Sequence, residues 1–329
     1  MPLKTLPEKF WNQYLHEMIV YGPVTSRRLG LSLGINNISP SKLCSYNCVY
    51  CQEGKTIRQS ATLRQFYDPE TIYRETLAHL EKLDKNHWPD YLTIVSNGEP
   101  TLDIQLKETA AMLRKLGFPL ALITNASLFS EERVREAIQE FDWLSVKMDA
   151  PDDVTWRKIN HPVRNLSFEN HMAHIHEVVR EFHGILCTET MLVSGLNDQA
   201  ETVAILAGMI AGLSPSKAYV SVPIRPPAYK GVAIPDEASL TLAWQIYTDH
   251  GLNTEVLAGF EGIDTGYTGN AFEDLLNITS VHPLREDSVE NLLAQNNSDF
   301  SVIDDLISQH LLSKVNYNGH TYYLRHYHV

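Results

Sequence analysis

No stretch of this 329-residue chain approaches the roughly 18 to 20 continuous apolar residues that a membrane span needs. The longest apolar run, residues 203–213, suffices only for a buried helix. The opening stretch MPLKTLPEKFWNQYLHEM has no apolar core of a secretory signal. Cysteine is scarce: four residues are too few for a disulfide scaffold of this size. Positive charge is also short. Lys and Arg number 27 against 40 Asp and Glu, a formal charge of −13, which argues against a polyanion-coating protein while leaving room for a local basic groove. Low-complexity tracts, flexible Gly/Ser linkers and short tandem repeats are absent. Three of the four cysteines nevertheless fall within eight residues. Clustered thiols without an export signal predict a reducing, cytoplasmic setting and no membrane partner.

With 43% hydrophobic and 20% charged residues, the chain has ample material for a core. Strand-like and helix-like segments alternate along it, the pattern of a parallel α/β fold. Strands are expected over 29–36, 91–96, 120–124, 143–149, 184–193 and 218–224, and helices over 68–83, 105–116, 130–140, 167–182, 198–212 and 236–250. The first of these helices opens with Asp68-Pro69-Glu70, a cap followed by proline in the first turn. Six strand–helix units predict a partial (β/α)6 barrel, in which chemistry sits just beyond the carboxyl ends of the strands. The barrel is expected to span 1–280. From 281 to 329 the pattern changes to two helices, 284–294 and 300–311, then two short strands, 312–317 and 320–325, joined by Asn318-Gly319, a strong hairpin signal. That order predicts a small winged-helix-like domain. Its three Lys/Arg against six Asp/Glu favour packing or protein binding over nucleic-acid reading.

The cysteines read Cys44-Ser-Tyr-Asn-Cys48-Val-Tyr-Cys51, a C-x3-C-x2-C pattern. Three soft thiolates point to a soft metal or an iron–sulfur cluster. Structural zinc wants four closed ligands, and no fourth neighbour is evident; Cys187, in mid-strand, reads as a small buried hydrophobe. Three thiolates would hold three irons of a [4Fe–4S] cube and leave the fourth open.

This motif, with the aromatic Tyr50 just before its last cysteine, resembles the radical S-adenosylmethionine (SAM) superfamily. Gly98-Glu99-Pro100, ending the second strand, is similar to that superfamily's SAM-amine motif. Thr124-Asn125-Ala126-Ser127-Leu128, Lys147-Met148-Asp149-Ala150-Pro151, Arg157-Lys158-Ile159-Asn160-His161-Pro162, the segment 22–30 and Arg225-Pro226-Pro227 resemble the iron–sulfur oxidoreductases related to the radical domain of tRNA wyosine (4-demethylwyosine) synthase. The resemblance implies a [4Fe–4S] cluster on Cys44, Cys48 and Cys51 and SAM as the second cofactor. It further implies a one-electron donor of flavodoxin or ferredoxin type, and a 5′-deoxyadenosyl radical that takes hydrogen from a substrate. Glu99 is expected to accept from the SAM ammonium, Gly98 to admit close backbone approach ahead of Pro100, and Tyr50 to hold the adenine. Asn125 and Ser127 are assigned to the ribose or carboxylate of SAM. Ser145, Lys147 and Asp149 share one strand face, so Lys147 is expected to meet a carboxylate, while Asp149 either meets a ribose hydroxyl or the substrate, or caps the strand–loop junction. Only one of Glu189 and Thr190 can point inward. Asn197 resembles a position near SAM, Asp198 a helix cap. Arg225 is expected to bind a substrate anion or to form a packing salt bridge, and one of Arg27 and Arg28 to reach the cluster mouth.

The substrate class is open between a tRNA base and a peptide or protein partner docked by the carboxyl-terminal domain. Wyosine synthesis itself is disfavoured, because no second cysteine set is present. A non-catalytic metal or electron-transfer module is the reading from another class. His171, His174 and His176 are expected on a solvated helix face, and His326 and His328 in a frayed terminus.

Overall fold

The structure, a computed structural model, describes residues 19–38, 42–259, 262–263 and 265–325. Ten strands occupy its larger part: β1 (Val20–Ser26), β2 (Gly30–Ile35), β3 (Leu43–Cys44), β4 (Arg58–Gln59), β5 (Tyr91–Ile94), β6 (Leu120–Thr124), β7 (Trp143–Lys147), β8 (Ile185–Met191), β9 (Lys217–Ser221) and β10 (Thr254–Leu257). Eight of them form one curled sheet in the order β1-β2-β5-β6-β7-β8-β9-β10, while β3 and β4 pair separately. From β2 to β10 every pairing is parallel; only β1 runs antiparallel, against β2. Near-continuous apolar runs such as Leu120-Ala-Leu-Ile are what a strand covered on both faces requires. Helices cross between the strands and cover the outer face. In Pro69–Lys82 the buried positions Ile72, Thr76, His79 and Leu80 recur at helical spacing, and Asp68 caps it by accepting from Glu70 N at 2.9 Å.

The six expected parallel strands are present, with the fold expected of a partial barrel. Strands 143–149 and 184–193 are shorter than anticipated, ending at Lys147 and Met191. The reason is local: past β7 the Asp149 carboxylate accepts from Met191 N at 2.8 Å, and past β8 Val193 N donates to Asn197 Oδ1 at 2.8 Å. Two further strands of the large sheet were not anticipated, nor were the two-residue strands β3, β4 and Leu284–Arg285, the last of which takes the place of the first two residues of the helix expected over 284–294. β1 is interrupted by Gly22-Pro23, and β10 is only four residues long beside a polar turn. The helix Asp153–Ile159, capped by Asp152 accepting from Thr155 N at 2.7 Å, was also unforeseen.

A smaller unit follows: helix Ala271–Thr279, β11 (Leu284–Arg285), helices Glu286–Gln295 and Ser301–Ser308, β12 (Leu312–Tyr317) and β13 (His320–Arg325), with the strands in the order β11-β13-β12. Asn318 and Gly319 both take positive φ (49° and 79°), the conformation a two-residue hairpin turn demands. Its hydrophobic core gathers Leu275, Leu292, Leu306 and Tyr323 and draws in Val24 of β1, so its packing begins before residue 281. Two tyrosines fasten it to the barrel rim. Tyr317 donates to Pro223 O at 2.7 Å and Tyr322 to Ile224 O at 2.9 Å. Among the described residues no helix is long and apolar enough to cross a membrane. His326 and His328 lie outside the described residues.

Candidate functional site

Cys44 ends β3, and the chain then turns twice, Cys51 N donating to Cys48 O and Gly54 N to Cys51 O, both at 3.2 Å. This loop is held from two sides. On one side Leu43 runs alongside Gly98, and Leu43 O accepts from Glu99 N at 3.1 Å. A Cβ on Gly98 would lie 1.8 Å from Leu43 O, so only glycine permits the approach. On the other side Val49 N donates to Ile159 O at 2.9 Å and Tyr229 N to Val49 O at 3.1 Å. The motif around Arg157–Pro162 thus serves as a backbone clamp on the cysteine loop.

Each thiol has a polar neighbour. Lys42 Nζ lies 3.1 Å from Cys51 Sγ, Asn160 Nδ2 3.4 Å from Cys48 Sγ, and Asn125 Nδ2 3.7 Å from Cys44 Sγ. Burial pushes the Cys44 and Cys48 thiols upward, Cys48 to about 12, and the charges of Glu99 and Asp149 nearby push the same way. Burial alone would lower Lys42, but Cys51 and Cys44 outweigh it and hold the ammonium charged. A metal must therefore displace thiol protons as it binds, against a fixed positive charge that favours thiolate. Cys187 is buried far from this loop in contact with Leu29, Trp143 and Tyr219, as expected of a small hydrophobe.

Inside the curled sheet lies a cavity of about 290 Å³, at the low end of the roughly 300–1,000 Å³ common for small-molecule sites. Tyr50, Cys51, Gln52 and Glu53 of the cysteine loop form one wall, and Lys147, Glu189 and Ser221 project from successive strands. Arg28 and Arg225 line it, and Val281 and His282, between the first helix and β11 of the small unit, close it. Glu189 is the inward member of its pair. It accepts from Lys147 Nζ and Ser221 Oγ, each at 2.9 Å, and is ion-paired to Arg28. Thr190 points the other way, to Tyr247 at 2.8 Å. Burial would raise the Glu189 carboxyl, but Arg28 and Lys147 prevail and hold it well below the usual carboxylate range. Lys147 also lies 5.3 Å over the Tyr50 ring. Arg225 reaches Gln52 Oε1 at 3.1 Å and His282 Nε2 at 3.0 Å. Of the two arginines Arg27 and Arg28, Arg28 is the one paired in the cavity.

The remaining expected site residues form the scaffold behind this cavity. Glu99 is 1% exposed and accepts from Thr101 N (3.1 Å), Thr101 Oγ1 (2.6 Å), Thr124 Oγ1 (2.5 Å) and Asn125 N (2.8 Å). It ties the loop after β5 to the end of β6, and Pro100 opens the short turn that it caps. Asn125 donates to Ser45 Oγ at 2.9 Å and accepts from Ser127 N at 3.0 Å, while Ser45 and Ser127 share a hydrogen bond of 2.6 Å. Asp149 is bonded to Tyr50 Oη, to Asn160 Nδ2 at 2.7 Å and to Met191 N at 2.8 Å. Asn197 donates to Asp149 O at 2.8 Å and Met191 O at 2.9 Å and accepts from Val193 N at 2.8 Å. Asp198 accepts from Gly195 N at 2.9 Å within this loop, and the residue that opens the next helix is Gln199.

One expectation is overturned. His171 is not on a solvated face: it stacks on Trp156 (5.3 Å, 13°), sits 3.2 Å from Tyr46 Oη and is 8% exposed. Burial lowers its pKa to about 4, with the His174 charge acting in the same direction. Its helix presents this position inward because His171, Ile175 and Val178 form the buried stripe. His176 is exposed, as expected.

Three cysteine thiols are the donor type that iron–sulfur clusters use. Among the described residues no group of three or more His, Cys, Asp or Glu side chains is placed to hold one metal ion. Three cysteines of a cubane bind three different irons and need not converge on one point. Profile comparison matches residues 38–206 to the radical SAM superfamily. The UPF0026 protein MJ1312 of Methanocaldococcus jannaschii is 41% identical over 309 residues, covering 93% of this chain and 96% of that one. Among solved structures, TYW1 with a lysine-pyruvate adduct bound aligns with TM-score 0.53 at 16% identity, over 74% of this chain and 90% of its own. A radical SAM methyltransferase from Sphaerobacter thermophilus aligns with TM-score 0.55 at 15% identity, over 78% and 82%. At such identities the likeness is one of fold.

Proposed function

Because the chain belongs to the radical SAM superfamily, whose cofactors are a [4Fe–4S] cluster and SAM, we propose that Cys44, Cys48 and Cys51 hold that cluster and that the adjoining cavity receives SAM and a substrate. The observation that carries this reading is the meeting of Cys51 and Tyr50 with Lys147, Glu189 and Arg225 around one enclosed space at the carboxyl side of the parallel strands. Held by these cysteines, a cluster would supply the single electron that reductive cleavage of SAM into methionine and a 5′-deoxyadenosyl radical requires.

The chain's own residues do the rest. The Gly98–Leu43 contact and the clamp at 159–160 fix the loop, so the three thiols are presented before iron arrives. Lys42 donates to Cys51 Sγ and holds that side chain in place. Glu99 fixes the loops after β5 and β6, which back the cysteine loop. Lys147 and Arg28, balanced by Glu189, hold positive charge at the cavity floor for a carboxylate. Arg225 does so at the rim, where it donates to His282 Nε2. The surrounding Val24, Ile123, Leu29 and Val222 exclude water from a reactive carbon. Because His282 and Val281 complete the wall, substrate selection involves the small carboxyl-terminal unit. Whether the substrate is a base, a peptide or a small acid depends on what passes that rim.

The test is anaerobic reconstitution with iron and sulfide, then dithionite and SAM. The expected product is 5′-deoxyadenosine, lost in Cys48→Ala. A loaded cluster that never cleaves SAM would refute the proposal.

A further inference from the structure

The chain is strongly acidic, yet its charge is not evenly spread. Three segments that the backbone stitches around the cysteine loop, 42–64, 152–164 and 225–231, carry nine Lys/Arg against three Asp/Glu; the rest of the chain carries 18 against 37. The stitching is explicit. Asn47 N donates to Asn160 O at 3.0 Å, Gln59 Nε2 to His161 O at 2.6 Å, and Asn47 Nδ2 to Tyr229 Oη at 2.7 Å. Lys55 Nζ lies 4.5 Å over the Tyr229 ring, and His161 packs edge-on against it at 5.5 Å. Lys55, Arg58, Lys158, Arg164 and Lys230 are all exposed. On the same loop as Lys55 and Arg58 stands Ile57, 72% exposed, the most exposed of the large apolar side chains. An exposed apolar side chain on a predominantly basic surface is the form of a docking site, with the charge setting encounter rate and the apolar side chain the contact.

We propose that this basic surface around Ile57, on the outer side of the cysteine loop, is the docking site of an acidic one-electron carrier protein. The inference rests on the proposed cluster chemistry, because the occupant follows from it. A carrier must bring its redox centre close to the three cysteines, and Val49 and Cys48 lie directly beneath Tyr229 and Asn160. The exchange is one electron per SAM cleaved: the carrier is oxidised by one electron, the cluster reduced by one, and no proton moves with it. Such contacts are small, transient and steered by charge. An RNA partner fits less well, because the side chain that stands free is the aliphatic Ile57, whereas Tyr229 is half-buried between Lys55 and His161 and offers no open face for stacking.

The test compares two electron sources. Lys158→Glu combined with Arg58→Glu and Lys230→Glu, and separately Ile57→Asp, are assayed with dithionite and with an acidic plant-type ferredoxin reduced by NADPH and its reductase. Both variants are expected to keep dithionite-driven 5′-deoxyadenosine formation. The charge-reversed protein is expected to need on the order of tenfold more ferredoxin and to lose the salt sensitivity of the native rate. Direct calorimetric titration of ferredoxin into the metal-free protein supplies a readout independent of turnover, with binding at low salt abolished by the reversal. Unchanged ferredoxin binding and rate would overturn the inference. So would ferredoxin indifference accompanied by loss of bulk tRNA binding, which would make this an RNA surface. Failure of dithionite to drive SAM cleavage in the native protein would instead remove the underlying function.

Discussion

Replacing Gly98 with alanine tests whether the cysteine loop is held in place by backbone contact alone. The added Cβ falls 1.8 Å from Leu43 O, 2.7 Å from Leu43 C and 3.2 Å from Leu43 N. All three atoms are main chain, so no rotamer change relieves the clash. Reaching even 3.0 Å from the oxygen requires a movement of roughly 1 Å. That movement breaks the 3.1 Å bond from Glu99 N and pulls on β3, whose second residue is Cys44. Overpacking of this kind costs about 1–3 kcal/mol, and for a chain of 329 residues a kilocalorie is about 1.5 °C in Tm. The variant should therefore melt a few degrees lower and, more tellingly, bind substoichiometric iron on anaerobic reconstitution. Gly208→Ala is the control. Its Cβ would meet nothing nearer than His250 at 3.8 Å, and alanine is favoured in a helix by about 1 kcal/mol. A Gly98→Ala protein that loads iron fully and melts like the native chain would refute the clamp argument.

Glu189→Gln leaves Arg28 and Lys147 facing a neutral amide, and should cost about 3–5 kcal/mol by thermal or denaturant unfolding. Because the native carboxyl is held below its ordinary range, its contribution is full above about pH 4.5 and lost as pH falls through the folded value; the gap between variant and native should narrow in acid. His171 runs in the window above: neutral when folded, it stabilises fully above its ordinary 6.5. That contribution declines between 6.5 and about 4 as the unfolded chain takes up a proton, at most about 3 kcal/mol, and should vanish from the pH–stability curve of His171→Gln. Tyr317→Phe and Tyr322→Phe each remove a bond from the small unit to the barrel rim, about 0.5–1.5 kcal/mol, and should speed amide exchange at 281–282. Cys187→Ala should leave iron content untouched, whereas alanine at Cys44, Cys48 or Cys51 should abolish it.

Much of the fold was legible because parallel strands buried on both faces are apolar throughout and helices announce themselves by capping residues such as Asp68 and Asp236. β1 escaped notice because a glycine–proline pair interrupts it, and β10 because four residues carry no period. The cysteine loop was legible from spacing alone. Its surroundings were not, because they depend on which strand faces which. Lys147 and Glu189 are 42 residues apart and meet only through the register of β7 on β8. Arg28 joins them from a hairpin that was not anticipated. Glu99 and Asp149 have the composition of ligands, yet hydrogen bonds from neighbouring loops engage both carboxylates. His171 looked solvated because histidine spacing was weighed without the hydrophobic stripe of Ile175 and Val178 beside it.

The most direct test of the central claim is Mössbauer spectroscopy of protein reconstituted with ⁵⁷Fe, with and without SAM. The account predicts a cubane in which one iron of the four is distinct and changes its signal when SAM is added. Four irons indifferent to SAM, or a protein that takes up only zinc, would contradict it.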